Sequence, residues 1–477
     1  MKKILIVDDE EAVCWALDRA LTREGYRVLS ASSAEEGFVL AEKECPDVIV
    51  LDVRLPGLDG LSALARFREL ADDAPVIIIT AFGNLTTAVR AVEGGAFDRY
   101  DSEEVDVYER ELAEYFGVRW VTAVSSGTAA IHSALGALDL EPGTEVIVSS
   151  FTDPGSVMPL FFQQLIPVFA EHDFDTLLMS AEGVRAALSP HTGAIIVAQL
   201  HGYVADMEGI RAAAASTGRQ IPIIGDVSQA HGSTVEGDRA AAFGDIGAMS
   251  LMSGKHMVAG GQAGMVATND EETYWKAKRF ADRGKPFGID APSNVTIGLN
   301  YRIHELEAAM GRVQLRKLES IKARRRAALA RIHEGIDGLA AVRPVRALPG
   351  VEINPWSALF LLDTDRLRVD NATYAAAMVA EGIPVNHSYR NAINYELQFY
   401  RQRKTFGTSG WPWGHVVGGR RIEWQEIDNP IAERIAQSLL LLEIHESWTE
   451  REAADTVAAF RKVEAAYLRQ ASGGAGV

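Results

Sequence analysis

Hydrophobic and polar positions alternate in two blocks along the chain. In residues 1–100, short apolar runs separated by amphipathic stretches predict strands between helices. The predicted strands are 3–7, 48–51 and 76–80, and the predicted helices are 10–24, 34–43 and 61–70. This order is typical of a parallel sheet with helices on both faces.

A second block of the same kind begins near residue 103. Its predicted strands are 146–149, 194–199, 221–225 and 248–251. A long helix over 303–331, a strand over 358–363 and a helix over 371–381 follow. The pattern predicts an α/β chain with domains at 1–100, 101–330 and 331–477, the last being smaller than the second.

Composition narrows the class of protein. The formal net charge of the 477 residues is −18, so neither nucleic acid nor a membrane surface is expected as a partner. No apolar run reaches the roughly 18 residues that span a bilayer, and the first residues resemble a strand rather than a signal peptide. Because Cys14 and Cys45 are the only cysteines, we predict a reducing, cytoplasmic location without a disulfide framework.

Acidic residues follow two predicted strands of the first block. Asp8 and Asp9 come after the strand at 3–7, Asp52 follows the strand at 48–51, and Thr80 ends the strand at 76–80. The carboxyl ends of parallel strands meet at one edge of a sheet. Clustered carboxylates repel one another unless a cation lies between them, and Mg²⁺ prefers oxygen ligands. Each acid alone could be a solvated residue at a loop start, but the set indicates a magnesium site.

Segments 4–10, 50–60 and 79–83 make this block resemble a response-regulator receiver domain of the NtrC-like kind. The resemblance implies a flavodoxin-like fold in which Asp52 accepts a phosphoryl group from a histidine kinase. It also implies that Asp8 and Asp9 hold Mg²⁺ together with Asp52, and that Thr80 is the switch hydroxyl. Arg99 directly follows residues 96–98, where the family has a lysine that pairs with the phosphorylated aspartate. Whether phosphorylation switches this domain is therefore left open.

Three features of the second block fit one chemistry. Residues 126–128, Ser-Gly-Thr, open a predicted helix, and free N–H groups at a helix N-terminus bind phosphate. Asp226 ends a predicted strand, where a carboxylate can pair with a protonated pyridine nitrogen. Lys255 follows the next strand, close to Gly260, Gly261 and Gly264, and a lysine amine can bond to a carbonyl cofactor. Each feature alone is ordinary, but their order indicates a pyridoxal-phosphate site.

Residues 103–468 resemble the DegT/DnrJ/StrS family of pyridoxal-phosphate-dependent sugar aminotransferases. The matching segments are 116–131, 166–169, 225–232, 249–255 and 298–309. The resemblance implies the large domain of a fold type I pyridoxal-phosphate-dependent transferase, followed by a smaller C-terminal α/β domain. It also implies a homodimer whose two active sites are shared between subunits.

The roles of the site residues come from this resemblance. Lys255 bonds covalently to the cofactor, Asp226 pairs with its pyridine nitrogen, and Gln229 contacts the side of its phenolic oxygen. Asp153 stands where the family has an aromatic ring that stacks on the cofactor. The other cofactor contacts that the resemblance implies are Ser126, Gly127, Thr128, Ser250, Phe151 and, from the neighbouring subunit, Asn300.

The implied reaction moves an amino group from glutamate or glutamine to a keto-sugar nucleotide or a cyclitol, in polysaccharide or secondary-metabolite sugar biosynthesis. One alternative is a sugar dehydratase of the same fold, which would have histidine in place of Lys255, although His256 is adjacent. The other is a two-component signalling protein whose aminotransferase-like body is not catalytic. His201 and His256 are interpreted as structural, and residues 411–414 either face the substrate or form an aromatic turn on the core.

The two resemblances meet near residues 97–101, and neither is complete there. The receiver lacks its usual end, and the aminotransferase lacks the first segment of its family. A fusion that shares the predicted helix over 103–116 and a deletion or assembly join both explain this junction.

Overall fold

The computed structural model describes residues 2–71, 74–79, 104–240, 242–387 and 393–469. Contacts within the chain divide it into two compact units, residues 1–102 and 103–477. The junction at 97–101 lies outside the described residues, as does Thr80.

The first unit contains a parallel sheet of four described strands in the order β2-β1-β3-β4. The strands are β1 Lys3–Val7, β2 Arg27–Ala31, β3 Val48–Asp52 and β4 Val76–Ile79. The helices are α1 Glu11–Arg23, α2 Ala34–Glu44 and α3 Gly60–Leu70. This strand order is that of flavodoxin-like sheets, which confirms the predicted fold of this unit.

Local chemistry fixes the two helices that follow β2 and β3. The side chain of Ser33 caps α2 by accepting a hydrogen bond from the Glu36 N–H, and Asp59 caps α3 in the same way. Gly60 begins α3 against the end of β3, because a Cβ there would lie 1.9 Å from the carbonyl oxygen of Asp52. The glycine therefore allows α3 to start directly beside the predicted phosphoacceptor.

The second unit is built on a seven-stranded sheet in the order β5-β12-β11-β9-β8-β6-β7. The strands are β5 Trp120–Val124, β6 Glu145–Ser149, β7 Ile166–Ala170, β8 Thr192–Ala198, β9 Ile223–Asp226, β11 Ile246–Ser250 and β12 Gly264–Thr268. β12 pairs antiparallel with both β11 and β5, whereas β11, β9, β8, β6 and β7 run parallel. The helices of this part are α4 Glu104–Phe116, α5 Gly127–Leu138, α6 Met158–Phe162, α7 Ala181–Ala187, α8 Met207–Ala215 and α9 Glu271–Ala281.

A long helix leads from this sheet to a smaller one. The helix, α10 Glu305–Ile336, has 32 residues and begins with a capping box at His304 and Glu307. The smaller sheet has the order β13-β15-β19-β16, and all its pairs are antiparallel. Its strands are β13 Val342–Pro344, β15 Ser357–Leu362, β16 Val385–Asn386 and β19 Leu439–Glu443. Around it lie α11 Asn371–Ala380, α12 Gln398–Arg401, α13 Pro430–Ser438 and α14 Glu450–Tyr467.

Two short strand pairs complete the unit, namely β10 Thr234–Val235 with β14 Val351–Glu352, and β17 Val416–Val417 with β18 Arg420–Arg421. Leu359 and Leu361 of the smaller sheet share one hydrophobic cluster with Ile147 and Ile195 of the larger sheet. The two sheets are therefore packed together through a common core. Among the described residues, no helix is long and apolar enough to cross a membrane.

Candidate active site

The candidate site lies where β9, β11 and β5 end. Asp226 is the last residue of β9, and its register partner in β11 is Ala248, two residues before the end of that strand. Ser250, at the end of β11, pairs with Gly264 of β12, which in turn pairs with Val124 at the end of β5. The sheet thus brings the aspartate, the lysine loop and the start of α5 to one edge.

The start of α5 forms a cradle of backbone N–H groups. Ser126 caps the helix by accepting a hydrogen bond from the Ala129 N–H at 3.0 Å. A Cβ on Gly127 would lie 2.6 Å from the Cβ of Ser250, and one on Gly264 would lie 2.2 Å from the carbonyl oxygen of Ser126. Within the part of the chain that the structure describes, the N–H groups of Gly127 and Thr128 have no acceptor. These donors, with the neighbouring Ser250 hydroxyl, fit a phosphate group.

Two hydrogen bonds hold the carboxylate of Asp226 in place. One oxygen accepts from the Ser156 hydroxyl at 2.6 Å, and the other accepts from the Ser228 N–H at 3.1 Å. Asp226 is buried, as is Gln229, whose side-chain oxygen accepts from the His201 N–H at 3.1 Å. A buried and oriented carboxylate at a strand end is suited to pair with a protonated ring nitrogen.

Lys255 lies in the loop between β11 and β12. Gly254 precedes it with a φ of +92°, a conformation that glycine adopts without strain. Burial lowers the pKa of the Lys255 amine, and the negative charges of Asp226 and Asp153 oppose this shift. An amine with a lowered pKa is more often unprotonated at neutral pH, which both nucleophilic attack and proton transfer require.

Two further cofactor contacts were predicted, Phe151 and Asn300. Phe151 is buried in the core, where its N–H donates to His172 Nε2 at 3.1 Å and its ring packs edge-on against that histidine. These contacts give Phe151 a packing role, and its contact with the cofactor stays a prediction. Asn300 is exposed and forms an isolated bridge with Asp282, so its role in a neighbouring subunit also stays a prediction.

In the first unit, Asp8, Asp9 and Asp52 influence the charge at the sheet edge where the magnesium site was predicted. Burial raises the pKa of Asp8, the Glu10 N–H that its side chain accepts at 2.8 Å opposes this, and the charges of Asp52 and Asp9 raise it further. The charges of Asp52 and Asp9 therefore act on the Asp8 carboxylate. No group of three or more His, Cys, Asp or Glu side chains that could hold a metal ion is present in the described residues, and the magnesium site stays a prediction.

Several residues of the site were not predicted from the sequence. Ser156 and Ser228 orient Asp226, and the ring of Trp356 lies against the Lys255 amine. Ser156 and Trp356 are far along the chain from their partners, so no pattern in the sequence marks them. Ser228 is only two residues from Asp226, but its contact is made by the backbone N–H, which carries no residue signature. His256 is buried and its Nε2 donates to the Asn354 carbonyl at 3.0 Å, in agreement with a structural role. Trp413 is packed in the core, which favours an aromatic turn at 411–414.

Comparison with known proteins agrees with this geometry. Residues 83–411 match the DegT/DnrJ/EryC1/StrS aminotransferase family, and residues 4–100 match the response regulator receiver domain, so that both matches include 83–100. The chain is 30% identical to the UDP-N-acetyl-3-dehydro-alpha-D-glucosamine 3-aminotransferase of Acidithiobacillus ferrooxidans over 398 residues, which is 83% of this chain and 95% of the relative. It is also 30% identical to the GDP-perosamine synthase of Escherichia coli O157:H7 over 297 residues, covering 62% of this chain and 80% of the relative.

A solved aminotransferase from Psychrobacter cryohalolentis superimposes with a TM-score of 0.69 and 26% identity, covering 81% of this chain and 98% of that one. The fold and the site define a pyridoxal-phosphate-dependent aminotransferase with a receiver domain at its N-terminus. The chain belongs to the DegT/DnrJ/EryC1/StrS aminotransferase family. This assignment favours the aminotransferase over the dehydratase and over a non-catalytic body.

Proposed function

We propose that the second unit transfers an amino group from glutamate or glutamine to the keto group of a sugar nucleotide or a cyclitol, in the biosynthesis of a polysaccharide or secondary-metabolite sugar. The observation that carries this proposal is the convergence of Lys255, Asp226 and the start of α5 at one edge of the sheet. Two relatives are named for nucleotide-linked sugars, which supports the first acceptor class.

The donor set fits pyridoxal phosphate. The N–H groups of Gly127 and Thr128 and the hydroxyl of Ser250 would hold its phosphate, and Asp226 would pair with its ring nitrogen. When bound, pyridoxal phosphate supplies an electron sink that withdraws negative charge from the carbon carrying the amine. Asp226 supports that role because its two hydrogen bonds fix the carboxylate before the cofactor arrives.

Lys255 is the proton carrier in this proposal. Its lowered pKa leaves more free amine at neutral pH than an exposed lysine has, so Nζ can accept the proton from the donor's α-carbon. The charges of Asp226 and Asp153 partly offset this lowering of the pKa. They therefore help the amine to keep the proton until it passes the proton on. The same amine therefore serves both directions of proton transfer.

A homodimer with shared sites is part of the proposal. The surface around Asn300 exposes apolar side chains that a lone subunit would leave in water. These side chains are Ile289, Val295, Ile297, Leu299, Leu306, Met310 and Val313. Mixing Lys255→Ala subunits with Asn300→Ala subunits tests the arrangement. Activity should reappear in the mixture, because one of the two sites in a mixed dimer keeps both residues, whereas unshared sites would give no recovery.

For the first unit, we propose phosphorylation of Asp52 by a histidine kinase, with Mg²⁺ held by Asp8, Asp9 and Asp52 and with Thr80 as the switch hydroxyl. The match to the receiver family and the effect of the Asp52 and Asp9 charges on Asp8 support this. We place the protein in the cytoplasm, since Cys14 and Cys45 are both free thiols. Incubation with a small phosphoryl donor and Mg²⁺ should add the mass of one phosphoryl group, and Asp52→Asn should abolish the addition.

Transamination itself is tested by its first half. The full chain, loaded with pyridoxal phosphate, is incubated with one amino acid at a time, and the released keto acid is quantified. Without an acceptor, the amount of keto acid should equal the amount of enzyme. Glutamate or glutamine should be converted, and Lys255→Ala should convert neither. If no amino acid yields its keto acid, the proposed reaction is wrong. Keto-sugar nucleotides and ketocyclitols are then offered to the aminated enzyme to identify the acceptor.

A further inference from the structure

Trp356 lies in direct contact with the amine of Lys255. It precedes β15, and its indole ring centroid is 4.1 Å from Lys255 Nζ. Ammonium groups within about 6 Å of a ring centroid are attracted by the negative face of the ring, most strongly by indole. The two residues are about a hundred positions apart in the sequence, so the fold has to bring them together.

Several contacts fix the indole ring in this position. Its Nε1–H donates to the carbonyl oxygen of Gly254 at 2.8 Å, which ties the ring to the loop of Lys255 itself. The ring stacks on His201, with centroids 5.2 Å apart and an interplanar angle of 25°. The Trp356 N–H donates to the His201 carbonyl at 3.2 Å, and the Asn354 side chain donates to the His231 carbonyl at 2.6 Å. The ring is therefore part of the rigid wall of the site.

In the described residues, no charged neighbour of Lys255 competes with the Trp356 ring by forming an ion pair with the amine. Asp226 on β9 and Asp153 in the loop after β6 act on the amine through space, but in the described residues neither forms an ion pair with Nζ. His201 is uncharged at neutral pH, because burial lowers its pKa to about 3.

His231 and His256 complete this environment. His231 donates from Nε2 to the Ser250 carbonyl at 2.8 Å, and His256 donates from the same atom to the Asn354 carbonyl. Burial lowers the pKa of both rings, so they are neutral at pH 7 and carry no charge toward the lysine. The indole face is thus the group in contact with the ammonium.

We propose that Trp356 is a positioning residue that holds the ammonium of Lys255 whenever this amine is not bonded to the cofactor. The proposal rests on the function proposed above, in which Lys255 has to be free for part of each turnover. Because the ring is fixed to Gly254 and His201, it keeps Nζ at the sheet edge beside Asp226 instead of in solvent. The amine is then in place to take up its next proton.

Competitive acetylation of the cofactor-free full chain tests the proposal without any turnover. The rate of labelling at Lys255 is measured by peptide mass spectrometry as a function of pH in the wild type, Trp356→Phe and Trp356→Leu. Neither variant has the indole N–H. Trp356→Phe retains an aromatic face, whereas Trp356→Leu does not. We expect a midpoint near that of the wild type for Trp356→Phe, and one about a pH unit lower for Trp356→Leu, since the ring favours the protonated amine.

The two variants also separate positioning from packing. A midpoint in Trp356→Leu that equals or exceeds that of Trp356→Phe overturns the proposal, because the aromatic face would then contribute nothing to the ammonium. Cooperative thermal melting shows that each variant is folded, and Trp356→Met replaces the leucine variant if that one is not. Covalent attachment of the cofactor is measured separately, so failure of this proposal is distinguishable from failure of the proposed transamination.

Discussion

The two units place their functional residues at the same kind of location and give them opposite electrostatics. In both, the candidate site is the edge where parallel strands end. In the first unit this edge has the carboxylates of Asp8, Asp9 and Asp52, and the charges of Asp52 and Asp9 add to burial in raising the pKa of Asp8. In the second, the lysine amine lies among carboxylates, and the charges oppose the effect of burial.

This difference indicates what each site needs from outside. A set of like charges is stabilised by a cation or by protonation, so the first site should respond to Mg²⁺ and to acid. The second site combines an amine, carboxylates and free N–H groups, which together suit an anion that carries a polar ring. It should therefore respond to pyridoxal phosphate. The predictions below test this contrast, beginning with the largest expected effect.

Removal of the amine should have the largest effect. Lys255→Ala is expected to lower turnover by at least about 10³-fold, because the group that carries the proton is lost. The keto acid formed from the amino donor gives the rate. Lys276→Ala is the matched control, since that lysine pairs with Glu272 on the surface of α9 and should leave the rate unchanged. Comparable rates in the two variants would contradict the assignment of Lys255.

The two carboxylates near Lys255 should differ in effect. Asp226→Asn keeps the shape of the side chain but loses its charge, and turnover should fall by about 10²-fold as the polar site loses a preorganised charge. In the cofactor-free protein, the same change should lower the pKa of Lys255 further, because Asp226 is the larger of the two charges that raise it. Asp153→Asn should shift the pH profile of Lys255 labelling less, and equal shifts would contradict this order.

Ser250 provides a test of the phosphate cradle. Ser250→Ala removes the hydroxyl beside Gly127, and the Kd for pyridoxal phosphate should rise about tenfold, the value of one charged hydrogen bond. Fluorescence or dialysis equilibrium measures this Kd. Ser228→Ala is the control in which the Ser250 hydroxyl is retained, although the Ser228 hydroxyl no longer accepts the Ser250 N–H. An unchanged Kd in Ser250→Ala would place the phosphate elsewhere.

The smallest effect concerns Mg²⁺ and the first unit. Saturating Mg²⁺ should stabilise this unit by about 1–3 kcal/mol, as expected for a ligand well above its Kd. The pKa of Asp8 is raised in the folded state, so its ionised form costs stability at neutral pH, and stability should increase as the pH falls toward the folded pKa. Asp8→Asn should therefore raise the metal-free melting temperature and abolish the response to Mg²⁺. A response to Mg²⁺ in the variant as large as that of the wild type would exclude Asp8 as a ligand.

Much of the fold could be predicted because strands that are buried on both faces are continuous apolar runs. β3, β6, β11 and β15 were located in this way to within two residues. β2 was missed because most of its residues are only partly buried or exposed, so it has no apolar run. β12 was missed because the glycines before it suggest a loop, although Gly264 is the first residue of the strand and contacts the backbone of Ser126.

The candidate site could be predicted only where residues carry a local signature. Lys255, Asp226 and residues 126–128 each adjoin a strand end, which the sequence pattern reveals. Ser156 and Trp356 have no such signature, since they reach the site through the packing of segments that are 70 and about a hundred residues from their partners. Contacts of this kind depend on the tertiary fold and cannot be deduced from local periodicity.

The most direct test of the central claim is the position of the covalent link to the cofactor. The full chain is incubated with pyridoxal phosphate, reduced with borohydride, digested and analysed by peptide mass spectrometry, with Lys255→Ala alongside. We predict an absorbance band at about 420 nm that disappears on reduction, and a pyridoxyl group on the peptide that contains Lys255. A link at another lysine, or an unchanged link in Lys255→Ala, would contradict the site described for this aminotransferase.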